Sequence, residues 1–233
     1  MSDLSSFPQD FTAVVVGSTG GLGSAFAEQL KRDPRCGRVL EFSRSSDPSL
    51  DLEDEASIER VCASIDGEVH LIIDATGVLH DQEMQPEKAI SSVDPEQIAR
   101  AFAVNASGPL LLLKHFHRLL PRKGRSVFAS VSARVGSIAD NRLGGWYGYR
   151  ASKAALNMFL QTAAIEVARR RPEAICLALH PGTVKTPLSE PFAGDRDRFE
   201  PAQSAEMLLQ VIGNAQPTGT ASFLAYDGSE IPW

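Results

Sequence analysis

The stretch "AVVVGSTGGLGSAFAEQLKR", Ala13 to Arg32, runs from a β-branched segment through a glycine-rich turn into an amphipathic helix. Gly17, Gly21 and Gly23 stand between strand and helix. Glycines at such a junction let the backbone turn sharply and approach a pyrophosphate, whose charge then sits at the helix N-terminus. Ser18 and Thr19 offer hydroxyls to phosphate oxygens, and Leu22 separates the last two glycines. The spacing is Gly-x-x-x-Gly-x-Gly rather than Gly-x-Gly-x-x-Gly. Many strand–helix turns carry glycine, so the rest of the chain has to decide what this one holds.

The alternation continues to the C-terminus. "GRVLEFS" predicts a second strand. "SLDL" predicts a very short third one, reached by a bare loop because "SSDPSL" leaves no room for a crossover helix. "EASIERVCASI" is helical and "HLIIDATG" a strand. Asp94 and Pro95 start the next helix, with Gln97 placed to close a capping box. That helix runs on through Ala103 and Leu111. "SVFASVS", "AICLALHPG" and "ASFLAY" are strands, interleaved with the helical segments "RASKAALNMFLQTAAIEVA" and "SAEMLLQVI". This order makes βαβ units. The expected fold is α/β: a Rossmann-type, doubly wound, mostly parallel seven-stranded sheet with helices on both faces. With no repeat or linker in view, residues 1–233 read as a single domain.

Composition narrows the function. The 233 residues carry 29 acids against 23 bases, a net charge of −6, which leaves no electrostatic case for nucleic acid. The one basic run, Arg169 to Arg171, falls where a long helix should end, and cations there complement the helix dipole. Cys36, Cys62 and Cys176 are odd in number and widely spaced, without Cys-x-x-Cys. They read as reduced thiols, and no metal site is expected. The start of the chain lacks the basic and apolar regions of a signal peptide, and "GPLLLL" is too short to span a bilayer. A soluble, cytoplasmic protein without a membrane partner is expected.

Two of the three tyrosines, Tyr147 and Tyr149, precede Lys153 in "GGWYGYRASKAAL". On a helix Tyr149 and Lys153 lie four apart, on one face. Tyr147 is turned about 240° from Lys153 at about 100° per residue. An ammonium beside a phenol favours the phenolate, and so brings Tyr149 towards the pH where it exchanges protons. A surface Tyr and a solvated Lys would give the same spacing.

Taken together and in order, these motifs resemble the short-chain dehydrogenase/reductase family over nearly the whole chain. "GSTGGLG" is similar to its cofactor loop. "LDLED" resembles the segment whose Asp51 and Leu52 contact adenine. "DATG", with Ala75, Thr76 and Gly77, stands where the family usually shows Asn-Asn-Ala-Gly. "VNASG" carries the family asparagine, Asn105. "SVSARVGSI" carries the serine, Ser132, with Ser130 as the alternative on the same strand face. "HPGTVKT" resembles the Pro-Gly segment on the nicotinamide side, with Pro181, Gly182, Val184 and Thr186. "NRLGGWYGYRASKAALN" and the ending "YDGSEIPW" resemble the branch of C-factor-like and sniffer-like carbonyl reductases. Two departures stand out. Asp74 and Ala75 replace the two asparagines, and Ser132 lies further before Tyr149 than is usual, so "SIADNRLGG" must bulge.

The resemblance implies an NADP(H)-binding domain, and a hydride exchanged between the nicotinamide and the carbonyl or alcohol of a small molecule. Tyr149 would donate the proton and Ser132 would hold the oxygen. Lys153 would tune Tyr149 and bond the ribose. Asn105 would bend its helix and hold a water on a proton route to Lys153. A strand-two end in Ser43 and Arg44, without a carboxylate at position 43, favours a 2′-phosphate. Trp146 and Tyr147 stand at the mouth of the site, and "PLSEPFAGDRDRF" is a short substrate cover. His180, at a strand end without an acidic sequence neighbour, reads as structural. The rival reading is a nucleotide-binding regulator on the same fold with little turnover. The family's pairing of long helices implies a homodimer or homotetramer.

Overall fold

The computed structural model describes residues 3–82, 84–192, 194 and 197–233. Six strands, β1 (Phe11–Val16), β2 (Cys36–Phe42), β3 (Leu71–Asp74), β4 (Ser126–Val131), β5 (Ala174–His180) and β6 (Ala221–Ala225), form one sheet in the order β2-β1-β3-β4-β5-β6. Every pairing is parallel. Parallel strands need crossovers, and helices α1 (Gly21–Arg32), α2 (Glu55–Ala63), α3 (Pro95–Phe102), α4 (Gly108–Phe116), α5 (Tyr147–Ala168) and α6 (Pro201–Asn214) occur along them.

Alternation along β1 shows how both faces are covered. Val14 and Val16 pack with Ile58 of α2, Leu112 of α4 and Leu156 of α5. Ala13 and Val15 pack on the other side with Phe26 of α1 and Leu208 of α6. All of these are buried. The sheet is Rossmann-like as expected, with six strands rather than seven. "SLDL" is no strand, because its backbone is used locally. Leu50 N donates to the Ser43 carbonyl, and Asp51 N to the Ser57 hydroxyl.

The long helix expected from Pro95 onward is broken into α3, a π turn over Ala103–Ser107, and α4. Pro109 explains the break. It brings no N–H to the Asn105 carbonyl four residues before it, and its ring would strike that carbonyl in a regular helix. Asp94 caps α3 by accepting from Glu96 N and Gln97 N. Gln97 does not close the box; its side-chain oxygen accepts from Gln85 N instead. Of the three arginines after α5, Arg171 donates to the Leu120 and Arg118 carbonyls, so it ties down the segment after α4.

Candidate active site

β1 lies between β2 and β3, so the chain reverses direction across the sheet after β2. Such a switch leaves a crevice at the carboxyl ends of the strands. One cavity of about 780 Å³ opens there. Thr19, Gly21 and Leu22 line it from the glycine turn, and Arg44 from the end of β2. Ala75, Thr76 and Gly77 line it after β3; Pro181, Gly182, Val184 and Thr186 after β5. Ser132, Tyr149 and Lys153 line the same cavity.

The glycine turn divides its residues between building and lining. Gly17 has φ +80°, a conformation that side chains disfavour. A Cβ on Gly23 would lie 2.1 Å from the Gly17 carbonyl oxygen, so Gly23 lets α1 close against the turn. Gly17 N, Ser18 N and the Ser18 hydroxyl all donate to the Phe42 carbonyl, which turns Ser18 towards β2. Gly21 is on the open side, where a Cβ would come 3.0 Å from Thr186 Cγ2. No side chain caps the N-terminus of α1. Its first-turn N–H groups are left for an anion. This uncapped turn, with Arg44 lining the same cavity, fits a dinucleotide phosphate. Asp51 and Leu52 are not among the cavity residues. Leu52 is buried against Gly108, and an Asp51 oxygen accepts from Glu53 N.

Tyr149 stands in the first turn of α5, half-buried, and lines the cavity; Tyr147 is exposed and does not. The preceding Trp146 holds a left-handed conformation, φ 53°, and also faces the cavity. Arg150 secures this bulge by donating to the carbonyls of Gly144, Gly145 and Val135. Trp146 meets Tyr149 edge-on at 6.1 Å between centroids and Phe192 at 5.3 Å, and His80 meets Phe192 at 5.2 Å. An aromatic wall thus borders the tyrosine. Phe192 belongs to the segment expected to cover the substrate; residues 193, 195 and 196 of that segment lie outside the described residues.

The two serines separate. Ser132 Oγ donates to Asn157 Oδ1 at 2.8 Å and lines the cavity. Ser130 Oγ is fully buried and donates to Asp74 Oδ2 at 2.6 Å. Asn105, also buried, accepts from Val78 N and donates to Val78 O, both at 2.8 Å, and donates to Ser152 Oγ at 3.2 Å. It stitches the loop after β3 to the π turn and to α5. Lys153 Nζ donates to the Val131 carbonyl at 2.8 Å.

The electrostatics differ from expectation. Burial pushes the Tyr149 phenol up to about 12, where a lysine-induced lowering was expected. Burial pushes Lys153 down to about 8, against the pull of Asp74. The lysine is oriented by β4 here, through the Val131 carbonyl. His180, expected to be structural, lines the cavity. Its buried Nδ1 has no partner among the described residues, and burial followed by Arg134 pushes it down to about 4, so it is a neutral imidazole. Its position before "PG" was the available signal. Leu79, Arg134 and Arg142, which no motif marked, also line the cavity.

Comparison with known proteins bears on the family and the fold. A short-chain dehydrogenase family model described as enoyl-(acyl carrier protein) reductase matches residues 24–231. C-signal of Myxococcus xanthus is 37% identical over 147 residues, covering 62% of this chain and 84% of that protein. The 1-hydroxy-2-glutathionyl-2-methyl-3-butene dehydrogenase of Rhodococcus sp. strain AD45 is 33% identical over 187 residues, 80% of each chain. Among solved structures, NADPH-bound carbonyl reductase from chicken fatty liver superposes with a TM-score of 0.83 at 23% identity, covering 97% of this chain and all of that one. Carbonyl reductase Sniffer of D. melanogaster gives 0.82 at 22%, with 97% and 100% covered. No helix among the described residues is long and apolar enough to cross a membrane.

Proposed function

The chain belongs to the short-chain dehydrogenase/reductase family, and on that premise we propose that it is an NADPH-dependent reductase of small carbonyl compounds. One observation carries the reading: Ser132, Tyr149 and Lys153 share a single cavity with an uncapped helix N-terminus and Arg44. The NADPH-bound and Sniffer carbonyl reductases with the same fold support it.

A bound nicotinamide supplies the hydride; the chain supplies position and a proton. The turn from Thr19 to Leu22 would hold the phosphates, and Gly182, Val184 and Thr186 the nicotinamide end. With its one proton turned from Asn157 Oδ1 into the cavity, Ser132 Oγ donates to the substrate oxygen and steadies the charge that develops on it. Tyr149 gives that oxygen its proton as general acid. Its raised pKa keeps the proton in place at neutral pH. The Lys153 ammonium offsets the phenolate that remains. The wall of Leu79, Trp146, Leu188 and Phe192 suits an apolar or aromatic carbonyl. Exposed Met158 and Ile165 on α5 favour pairing of two copies through that helix.

The name of C-signal points to signalling, and a regulator without turnover is the competing reading. NADPH oxidation is to be followed against aldehydes, ketones and quinones. Turnover should appear with at least one class and fall by about 10²-fold or more in Tyr149→Phe, while Tyr147→Phe stays near wild type. Equal losses in both variants, or no turnover with any class, would overturn the reading.

A further inference from the structure

Asp74 is the last residue of β3, directly before the cavity-lining Ala75, Thr76 and Gly77, and it is fully buried. A lone carboxylate in that position is costly unless its oxygens are satisfied. Here three donors converge on it. Thr76 N at 3.1 Å and Thr76 Oγ1 at 2.5 Å reach Oδ1; Ser130 Oγ at 2.6 Å reaches Oδ2. Both oxygens act as acceptors, which is the pattern of an ionised carboxylate.

The charge that acts on Asp74 is that of Lys153. Asp74 pairs in register with Ser130, and the next residue, Val131, offers its carbonyl to Lys153 Nζ. The segment after Asp74 reaches the same place: a Cβ on Gly77 would lie 3.5 Å from Lys153 Nζ and 3.3 Å from Asn105 Oδ1. Lys153 itself is buried. The groups facing it are few. Tyr149 lies one turn before it on α5, Asp74 comes from β3, and the neutral Asn105 comes from the π turn. β4 contributes neutral Ser130 and Val131. His180 at the end of β5 interacts with Arg134 and Asp227 instead.

We propose that the Asp74 carboxylate is a built-in counter-charge to Lys153, a positioning residue that fixes the pH range over which the Tyr149–Lys153 pair works. The inference rests on the proposed function for its catalytic readout. An asparagine, the usual family residue by resemblance, would fill the same space without the charge. A buried anion favours the ammonium and disfavours the phenolate. Removing it lowers both proton affinities, so both effects move in one direction. Burial raises the Asp74 carboxyl and lowers Lys153, and each charge opposes that shift in the other.

The test is the pH dependence of kcat/KM for NADPH-driven carbonyl reduction in wild type and Asp74→Asn. The hydroxyls of Ser130 and Thr76 can rotate to accept from the new amide, so the fold should persist. The alkaline limb should move down by about one pH unit, with activity at the optimum changed far less. An unmoved or upward-moving limb overturns the proposal. A second measurement needs no cofactor. Phenolate absorbance of the free protein is titrated with and without Tyr149→Phe, in both backgrounds, to isolate Tyr149. Its titration should fall in Asp74→Asn, and an unchanged curve overturns the proposal. If Asp74→Asn does not fold, Asp74→Ser takes its place. It also removes the charge and should shift the limb the same way; a limb that stays put overturns the proposal. If Tyr149→Phe keeps turnover, the functional reading fails. If it loses turnover while Asp74→Asn leaves limb and titration in place, only the Asp74 assignment fails.

Discussion

The Glu87 carboxylate accepts the backbone N–H of Gly148, 61 residues further along the chain, at 3.1 Å from each oxygen. Trp146, at the N-cap of α5, supplies no side-chain cap, and its own N–H donates to the Glu87 carbonyl. Glu87 is buried and so caps the helix that carries Tyr149 from another part of the fold. Glu87→Ala should cost about 1 kcal/mol, the scale of a lost N-cap. In Gly148→Ala the new Cβ would lie 2.9 Å from Glu87 Oε1 and displace the same group. The two changes act on one contact, so urea unfolding of the double variant should show less than the sum. Strict additivity would mean that the cap is not shared.

Ser132 and Ser130 give the second prediction. Ser132 Oγ faces the cavity and is steadied by Asn157, whereas Ser130 Oγ is committed to Asp74. Ser132→Ala should lower kcat by about 10²-fold, the scale of one lost donor to a developing oxyanion. Ser130→Ala, assayed at its own optimal pH, should stay within a few-fold. Steady-state kinetics decides between them, and the reverse ranking would make Ser130 the catalytic serine.

What the sequence disclosed about this site follows from the range of the physics involved. Strand alternation, the glycine turn and the i, i+4 spacing of Tyr149 and Lys153 are local, and each lies where its pattern predicts. "SLDL" failed because four residues cannot show whether their N–H groups find a ladder or, as with Asp51 and Ser57, a neighbouring side chain. The π turn at Asn105 had a local cause, Pro109, that was there to be read. Tyr149's raised pKa and the seat of His180 depend on burial by segments far away in sequence, which no spacing reports. The Glu87–Gly148 contact belongs to the same class.

His180 provides a pH prediction for stability. Its folded pKa, about 4, lies below the ordinary 6.5. The unfolded chain therefore binds the extra proton between these values, and stability rises with pH through that window. As pH falls from about 6.5 to about 4, wild type should lose about 1–3 kcal/mol relative to His180→Asn. Denaturant unfolding at pH steps across the window measures the difference. A constant gap between the two proteins would mean that the imidazole is hydrated and ordinary.

Arg44 decides which nicotinamide cofactor is preferred. It follows the end of β2 and lines the cavity beside the glycine turn. The carboxylate that would select the ribose 2′-hydroxyl is absent from position 43, where Ser43 bonds Ser45. Glu41, the nearest acid on the strand, is paired with Lys31. Among the described residues no carboxylate forms an ion pair with Arg44. A guanidinium so placed clamps a 2′-phosphate with charge-assisted bonds. Such a bond contributes about 1.5–3 kcal/mol, roughly ten- to a hundredfold in affinity. Titrating NADPH and NADH into wild type and Arg44→Ala by cofactor fluorescence should show NADPH weakened by that factor and NADH barely changed. Wild type binding both cofactors equally tightly would remove Arg44 from the selection and return it to the surface of β2.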